Sequence, residues 1–141
     1  MILPDVNVLI YAFRRDTEQH DQSRSWLRSV IESNARFGIS PLVLGAVVRI
    51  ATNRRVYDRP SSLDETLAYC DDLLGQEHCE VVQPGQTHWS IFADLCRRTK
   101  TTGPRTTDAW FAALAIEWGC EWVTFNRDFA RFPGLRWKVP R

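Results

Sequence analysis

No apolar stretch in this sequence is long enough to span a bilayer, so a membrane-embedded helical protein is not expected. Net charge is nearly absent as well: 18 Lys and Arg against 17 Asp and Glu leave +1 with histidine neutral. A strongly basic domain, whose charge alone would argue for nucleic acid, is therefore not indicated. Low-complexity tracts and internal repeats are missing, which argues against extended disorder and against a solenoid. Cys70, Cys79, Cys96 and Cys120 stand far apart, without the close pairs that a structural zinc site usually needs. Cys70 and Cys96 fall on apolar helical stripes, where a reduced thiol behaves as a small hydrophobe, and this pattern fits a reducing cytoplasm. The opening Met1-Ile2-Leu3-Pro4-Asp5 has no basic stretch followed by an apolar run, so a secretory leader is not expected and a cytoplasmic location is.

What is present is a chain of 141 residues, 44% apolar and 25% charged, enough to bury a real core as a single globular domain over residues 1–141. Short β-type runs occur at Ile2 to Leu3, Phe37 to Ile39, Val81 to Val82 and Trp122 to Phe125, each separated from the next by helical patterning. Trp26, Leu27, Val30 and Ile31 mark one amphipathic helix. Leu63, Leu67, Cys70 and Leu74 mark a second, and Trp89, Phe92, Ala93 and Cys96 a third. Ala109 to Trp118 is apolar on nearly every side, which predicts a buried helix with Thr107 as N-cap and Gly119 as its stop. Such alternation predicts an α/β fold with a mainly parallel sheet and helices on both faces; the tail from Pro133 to Arg141 adds a short edge segment.

In sheets of this kind ligands bind beyond the carboxyl ends of the strands. Asp5 follows the first strand directly, Ser40 the second, and Thr124, Asn126 and Asp128 close or follow the last. The helix bearing Asp108 turns into the Trp122 strand within a few residues, so the two run in opposite directions and Asp108 reaches the same rim. Each acid taken alone also reads as a helix-terminus residue complementing the dipole. Together on one rim they would raise one another's pKa unless a cation neutralised them, and Mg2+ or Mn2+ takes oxygen ligands, stabilises phosphoryl charge and activates water. Phosphodiester hydrolysis is the chemistry this implies. Three basic groups, Arg14 with Arg15, Arg49 with Arg54 and Arg55, and Arg97, Arg98, Lys100 and Arg105, read either as phosphate contacts or as solvated helix ends. His20, His78 and His88 lie away from the strand ends and are assigned no chemistry, while Trp110 is expected in the core.

Three segments carry a family resemblance: Leu3-Pro4-Asp5-Val6-Asn7-Val8-Leu9-Ile10-Tyr11-Ala12, Thr107-Asp108-Ala109-Trp110-Phe111-Ala112-Ala113-Leu114-Ala115, and Val123-Thr124-Phe125-Asn126-Arg127-Asp128-Phe129. In this order they resemble the PIN-domain family, and within it the VapC toxins of bacterial toxin–antitoxin pairs. The resemblance implies a PIN-like α/β/α sandwich, a homodimer, Mg2+-dependent endoribonuclease activity and inhibition by a cognate VapB-like antitoxin. Asp5 and Asp108 match the family's metal aspartates and Thr124 the hydroxyl that accompanies them. Asp128 is expected to complete the catalytic set, with Asn7 and Asn126 in support and Arg14, Arg15, Arg49, Arg97 and Arg98 as candidate RNA contacts.

Two departures stand out. The family's Asp-x-Asp-Phe element here begins with Asn126, and Ala46 stands about where many members place a glutamate. Two fewer carboxylates should weaken ion binding, so a single ion is expected, held by Asp5 and Asp108 with help from Asp128 or Asn126 through its carbonyl oxygen. The alternative is a catalytically weak module that binds RNA or the antitoxin. A haloacid-dehalogenase-like phosphatase would need a second acid where Asn7 stands, and a receiver domain would need one after a middle strand.

Overall fold

The computed structural model describes all residues, 1–141. Strand β1 (Ile2–Pro4) leads into helices α1 (Val6–Phe13) and α2 (His20–Glu32). Strand β2 (Phe37–Ile39) is followed by α3 (Pro41–Ala51) and α4 (Leu63–Leu74), and β3 (Cys79–Val81) by α5 (His88–Thr99). A 3-10 turn, Gly103–Arg105, opens α6 (Thr106–Trp118), then come β4 (Glu121–Val123), a second 3-10 turn at Arg127–Arg131, and β5 (Trp137–Lys138). All pairings are parallel, and the strand order is β3-β2-β1-β4-β5. The α/β fold with a parallel sheet is thus as expected, including the edge segment near the C-terminus.

Parallel strands joined through helices cross over right-handedly. Moving from β1 out to β2 and β3 therefore lays α1 to α4 on one face, and the return from β3 to β4 lays α5 and α6 on the other. The packing agrees, since α1 lies on α2 and α3, α3 on α4, and α5 on α6. The strand order switches sides between β1 and β4, with connections leaving in opposite directions, so their carboxyl ends open onto a crevice rather than a continuous layer.

The core explains why the short strands hold. Leu3, Phe37, Ile39, Trp122 and Val123 are essentially inaccessible, and α6 buries Ala109, Phe111, Ala112, Ala113, Leu114 and Ala115. Alanines let this helix sit close to the sheet, while Phe111 stacks on Trp122 at 5.3 Å and Phe129 meets the same indole at 5.4 Å. Truncating a ring such as Trp122 would cost about 3–5 kcal/mol. Gly38 has no side chain because a Cβ there would lie 2.7 Å from Val82 Cγ2. Cys70 and Cys120 are buried and all four thiols are free.

Several boundaries differ from expectation; β3, for one, is Cys79–Val81 where the run at Val81 to Val82 was expected. Helix α6 begins at Thr106, not after a Thr107 cap; the preceding 3-10 turn delivers the chain already helical, and Thr106 Oγ1 donates to the Gly103 carbonyl at 2.8 Å. At the other end Gly119 closes the helix as expected, with φ 66°. The β4 ladder ends before Phe125, because the Phe125 N–H turns to Asn7 Oδ1 at 3.2 Å. What ends the strand is the polar network at its tip.

Candidate active site

Asp5 is the residue between β1 and α1. Its extended backbone and carboxylate make it the N-cap of α1, with Oδ1 accepting from the Val6 N–H at 2.6 Å. The capping reading is thus met through Oδ1, and the other oxygen is used differently. Oδ2 accepts from Thr124 Oγ1 at 2.6 Å and from Asn7 Nδ2 at 3.3 Å. Asn7 Nδ2 also reaches Thr124 Oγ1 at 3.2 Å, and Thr124 Oγ1 takes the Asn126 N–H at 2.9 Å. Asn7 and Thr124 thus tie the tip of β4 to the start of α1 and fix Oδ2, while the Val6 N–H fixes Oδ1.

Only 6% of Asp5 is exposed, and no arginine or lysine reaches it within ion-pair distance. Burial raises its pKa to about 6; the Thr124 and Val6 hydrogen bonds pull it down, the nearby Asp108 charge pushes it up, and Asn7 lowers it. A carboxylate so placed has its charge penalised and its orientation fixed, the perturbation that marks a candidate functional group.

Asp108, in the first turn of α6, lines the same cleft, as do Asn7 and Asn126. The cleft has a volume of about 850 Å3. Its carboxylate end is continued by an apolar wall that includes Tyr11, Tyr57 and Trp110. Ala46 and Arg49 lie on the same lining, so the position where an acid was expected does face the cleft and presents only a methyl group there. Trp110 departs from the core placement expected of it. It is half-buried at the cleft wall, edge-on to His88 at 4.2 Å, with His88 Nε2 bonded to the Trp110 carbonyl at 3.0 Å.

Asp128 is not brought to this cleft. Asn126 Oδ1 caps the 3-10 turn by accepting the Asp128 N–H at 3.0 Å, and that turn carries the Asp128 side chain outward, where it lies 70% exposed and 3.8 Å from Arg105. The same bond engages the Asn126 carbonyl oxygen that sequence reading offered as a ligand. Among the basic residues, Arg49 lines the cleft, Arg15 is exposed, and Arg97 and Arg98 are exposed on the last turn of α5, with Arg98 3.6 Å from Asp94. Arg14 is buried in internal bonds to Asp16, Ser61 and the Arg59 carbonyl and lies 3.6 Å over the Tyr57 ring, so its role here is to hold a loop. Ser40 is buried and off the cleft.

One residue escaped the sequence reading. Arg131, at the end of the second 3-10 turn, places a guanidinium nitrogen 3.6 Å from Asp108 Oδ2. Its only signal is its spacing three residues after Asp128, which means nothing until the turn is known to be 3-10.

No group of three or more His, Cys, Asp or Glu gathers anywhere at metal-binding distance. The donor set that remains, two carboxylates in an open cleft, fits one hard divalent ion. Mg2+ is held through one or two carboxylates together with water and substrate phosphate, and does not need an all-protein cage.

The PIN domain family profile matches residues 2–135. Ribonuclease VapC43 of Mycobacterium tuberculosis is 36% identical over 140 residues, covering 99% of this chain and 95% of that protein. Ribonuclease VapC31 of the same species is 35% identical over 136 residues, covering 96% of each. Among solved structures, VapBC2 from Rickettsia felis bound to a promoter DNA fragment superposes with a TM-score of 0.72 at 19% identity, over 99% of this chain and 98% of that one, and shares the fold. With a family match over nearly its whole length and relatives this similar, the chain belongs to the PIN-domain family, among its VapC ribonucleases.

Proposed function

We propose that this chain is a divalent-metal-dependent endoribonuclease, acting in the cytoplasm as the toxin of a type II toxin–antitoxin pair. The observation that carries the reading is Asp5: a buried carboxylate with both oxygens oriented, no arginine or lysine partner, and Asp108 beside it in an open cleft. Asp5 and Asp108 are the residues that would hold Mg2+ or Mn2+. Bound there, the ion supplies stabilisation of phosphoryl charge and a lowered pKa for water.

The chain's own groups do the rest. Thr124 and the Val6 N–H keep Asp5 from rotating, and Asn7 fastens Thr124 to the same carboxylate. A carboxylate held as Asp5 is needs no reorganisation when charge develops on the phosphate. Arg49 on the cleft wall places positive charge where an RNA backbone would pass, and Tyr57, backed by Arg14, offers a ring to an unstacked base. Exposed Arg15, Arg97 and Arg98 extend the phosphate contacts beyond the cleft. A VapB-like antitoxin is the proposed protein partner, in line with the structural likeness to VapBC2; a homodimer is the proposed assembly, resting on the family resemblance alone.

Cleavage of total cellular RNA by the purified chain, with Mg2+, Mn2+ or chelator, tests the reading against Asp5→Asn and Asp108→Asn. Metal-dependent cutting that both substitutions abolish supports it. RNA binding without cutting, in protein freed of antitoxin, would replace the enzyme by a binding module.

A further inference from the structure

We propose that Arg131 is a built-in counter-cation for Asp108 that sets how tightly this site takes a divalent ion; the inference rests on the metal-dependent reading above.

The 3-10 turn Arg127–Arg131 and the N-terminal end of α6 face each other across the rim, and two ion pairs cross between them. Arg105 on the α6 side reaches Asp128 on the turn at 3.8 Å, and Arg131 on the turn reaches Asp108 on the α6 side at 3.6 Å. The pairs look reciprocal but their settings differ. Arg105 and Asp128 are 60% and 70% exposed, whereas Arg131 and Asp108 are 22% and 29% exposed. Water screens the first pair heavily and the second less.

Arg131 is also held in place from its own side. Nη1 donates to the Asp128 carbonyl at 3.0 Å, and the guanidinium carbon lies 4.2 Å over the Phe132 ring, itself buried against Phe129. Nη2, the nitrogen facing Asp108, is buried and makes no hydrogen bond. The cation is thus fixed by a carbonyl and an aromatic face, and only its free nitrogen addresses the carboxylate, at a distance that gives attraction without the directional bond.

A divalent ion entering between Asp5 and Asp108 would meet this charge. Arg131 would compete with it for Asp108 Oδ2 and, as a guanidinium that cannot lose its proton, would repel it. Before the ion arrives, the same guanidinium offsets part of the repulsion between the two carboxylates. In a site already short of acids at Ala46 and Asn126, Arg131 therefore lowers ion affinity further, so that occupancy depends on a second source of negative charge, the substrate phosphate.

The test is direct binding of Mn2+ to the full chain, followed by loss of the free-ion electron paramagnetic resonance signal without RNA. Arg131→Gln is expected to bind Mn2+ about three- to tenfold more tightly than wild type, and Arg131→Lys to stay near wild type. The gap should narrow when salt is raised about tenfold. Arg131→Met, which keeps the side-chain stem over Phe132, replaces the Gln variant if that one fails to fold. Unchanged or weaker binding in the neutral variants while wild type binds overturns the counter-cation role alone. Failure of wild type, Arg131→Gln and Arg131→Met all to bind Mn2+ overturns this role together with the metal reading of the site.

Discussion

The two ends of the site are built on opposite principles. Around Asp5, at the crevice between β1 and β4, the side chains are buried and linked by short hydrogen bonds among Asp5, Asn7 and Thr124. Around Asp108 and Asp128, at the junction of α6 with the 3-10 turn, acids meet arginines at 3.6 and 3.8 Å and stand much nearer to water. The first region positions a charge at a cost to stability; the second meets its charges with arginines, in the open at Asp128 and partly shielded within the cleft at Asp108. The difference teaches that acids gathered on one rim are not equivalent ligands, because burial and partner decide which of them is left for a cation.

That contrast can be broken most forcefully at Asp5. Asp5→Ala and Asp108→Ala should each lower RNA cleavage by two to three orders of magnitude in single-turnover assays, roughly the several kcal/mol a metal-held site supplies. Comparable losses at Asp128→Ala would erase the distinction drawn here. Thr124→Val removes the donor to Asp5 Oδ2 and should cost about 10- to 100-fold in activity or Mn2+ affinity, the usual effect of losing a group that orients a ligand.

A pH series sharpens the comparison from the side of stability. Because the Asp5 pKa rises from 3.8 to about 6 on folding, the folded state favours the protonated acid. The associated stability is fully present below pH 3.8 and is lost as pH climbs through about 6, so at pH 7 the ionised group is a burden. The stability of Asp5→Asn relative to wild type should then rise by about 1–3 kcal/mol between pH 4 and pH 7 in denaturant titrations. Added Mg2+ should raise the melting temperature of wild type but not of Asp5→Asn.

Restoring acids where the cleft lacks them gives a smaller effect. Ala46→Glu should tighten Mn2+ binding by about tenfold, since the position lines the cleft and a further carboxylate adds both charge and a ligand. The smallest effect is expected at Arg105→Ala, which loses only an exposed pair and should change stability by less than about 0.5 kcal/mol.

Much of the architecture was legible because it follows from local chemistry. Apolar periodicity announced α2, α4 and α5, the all-round apolar character of Ala109 to Trp118 announced a buried helix, and Gly119 announced its end. The rim argument for Asp5 and Asp108 needed only chain direction, and both do line one cleft. The outward course of Asp128 was not legible, since a strand-end motif does not say that Asn126 will cap a 3-10 turn. Arg14 read as a phosphate contact because a paired arginine cluster looks exposed in sequence; its burial depends on Asp16, Ser61 and Tyr57, which only folding assembles. Trp110 read as core because large aromatics usually are, and a helix packed at the edge of a cleft has a face that is neither core nor solvent.

By itself, then, the sequence determined the alternation of strands and helices, the parallel sheet and the presence of Asp5 and Asp108 at strand and helix ends, because periodicity and capping act over a few residues. Only the tertiary structure decided that Thr124, 119 residues away, would clamp Asp5, and that Arg131 rather than a third acid would stand beside Asp108. Those decisions turn on burial and on distances of a few ångströms between segments remote in sequence, and charge interactions depend steeply on both.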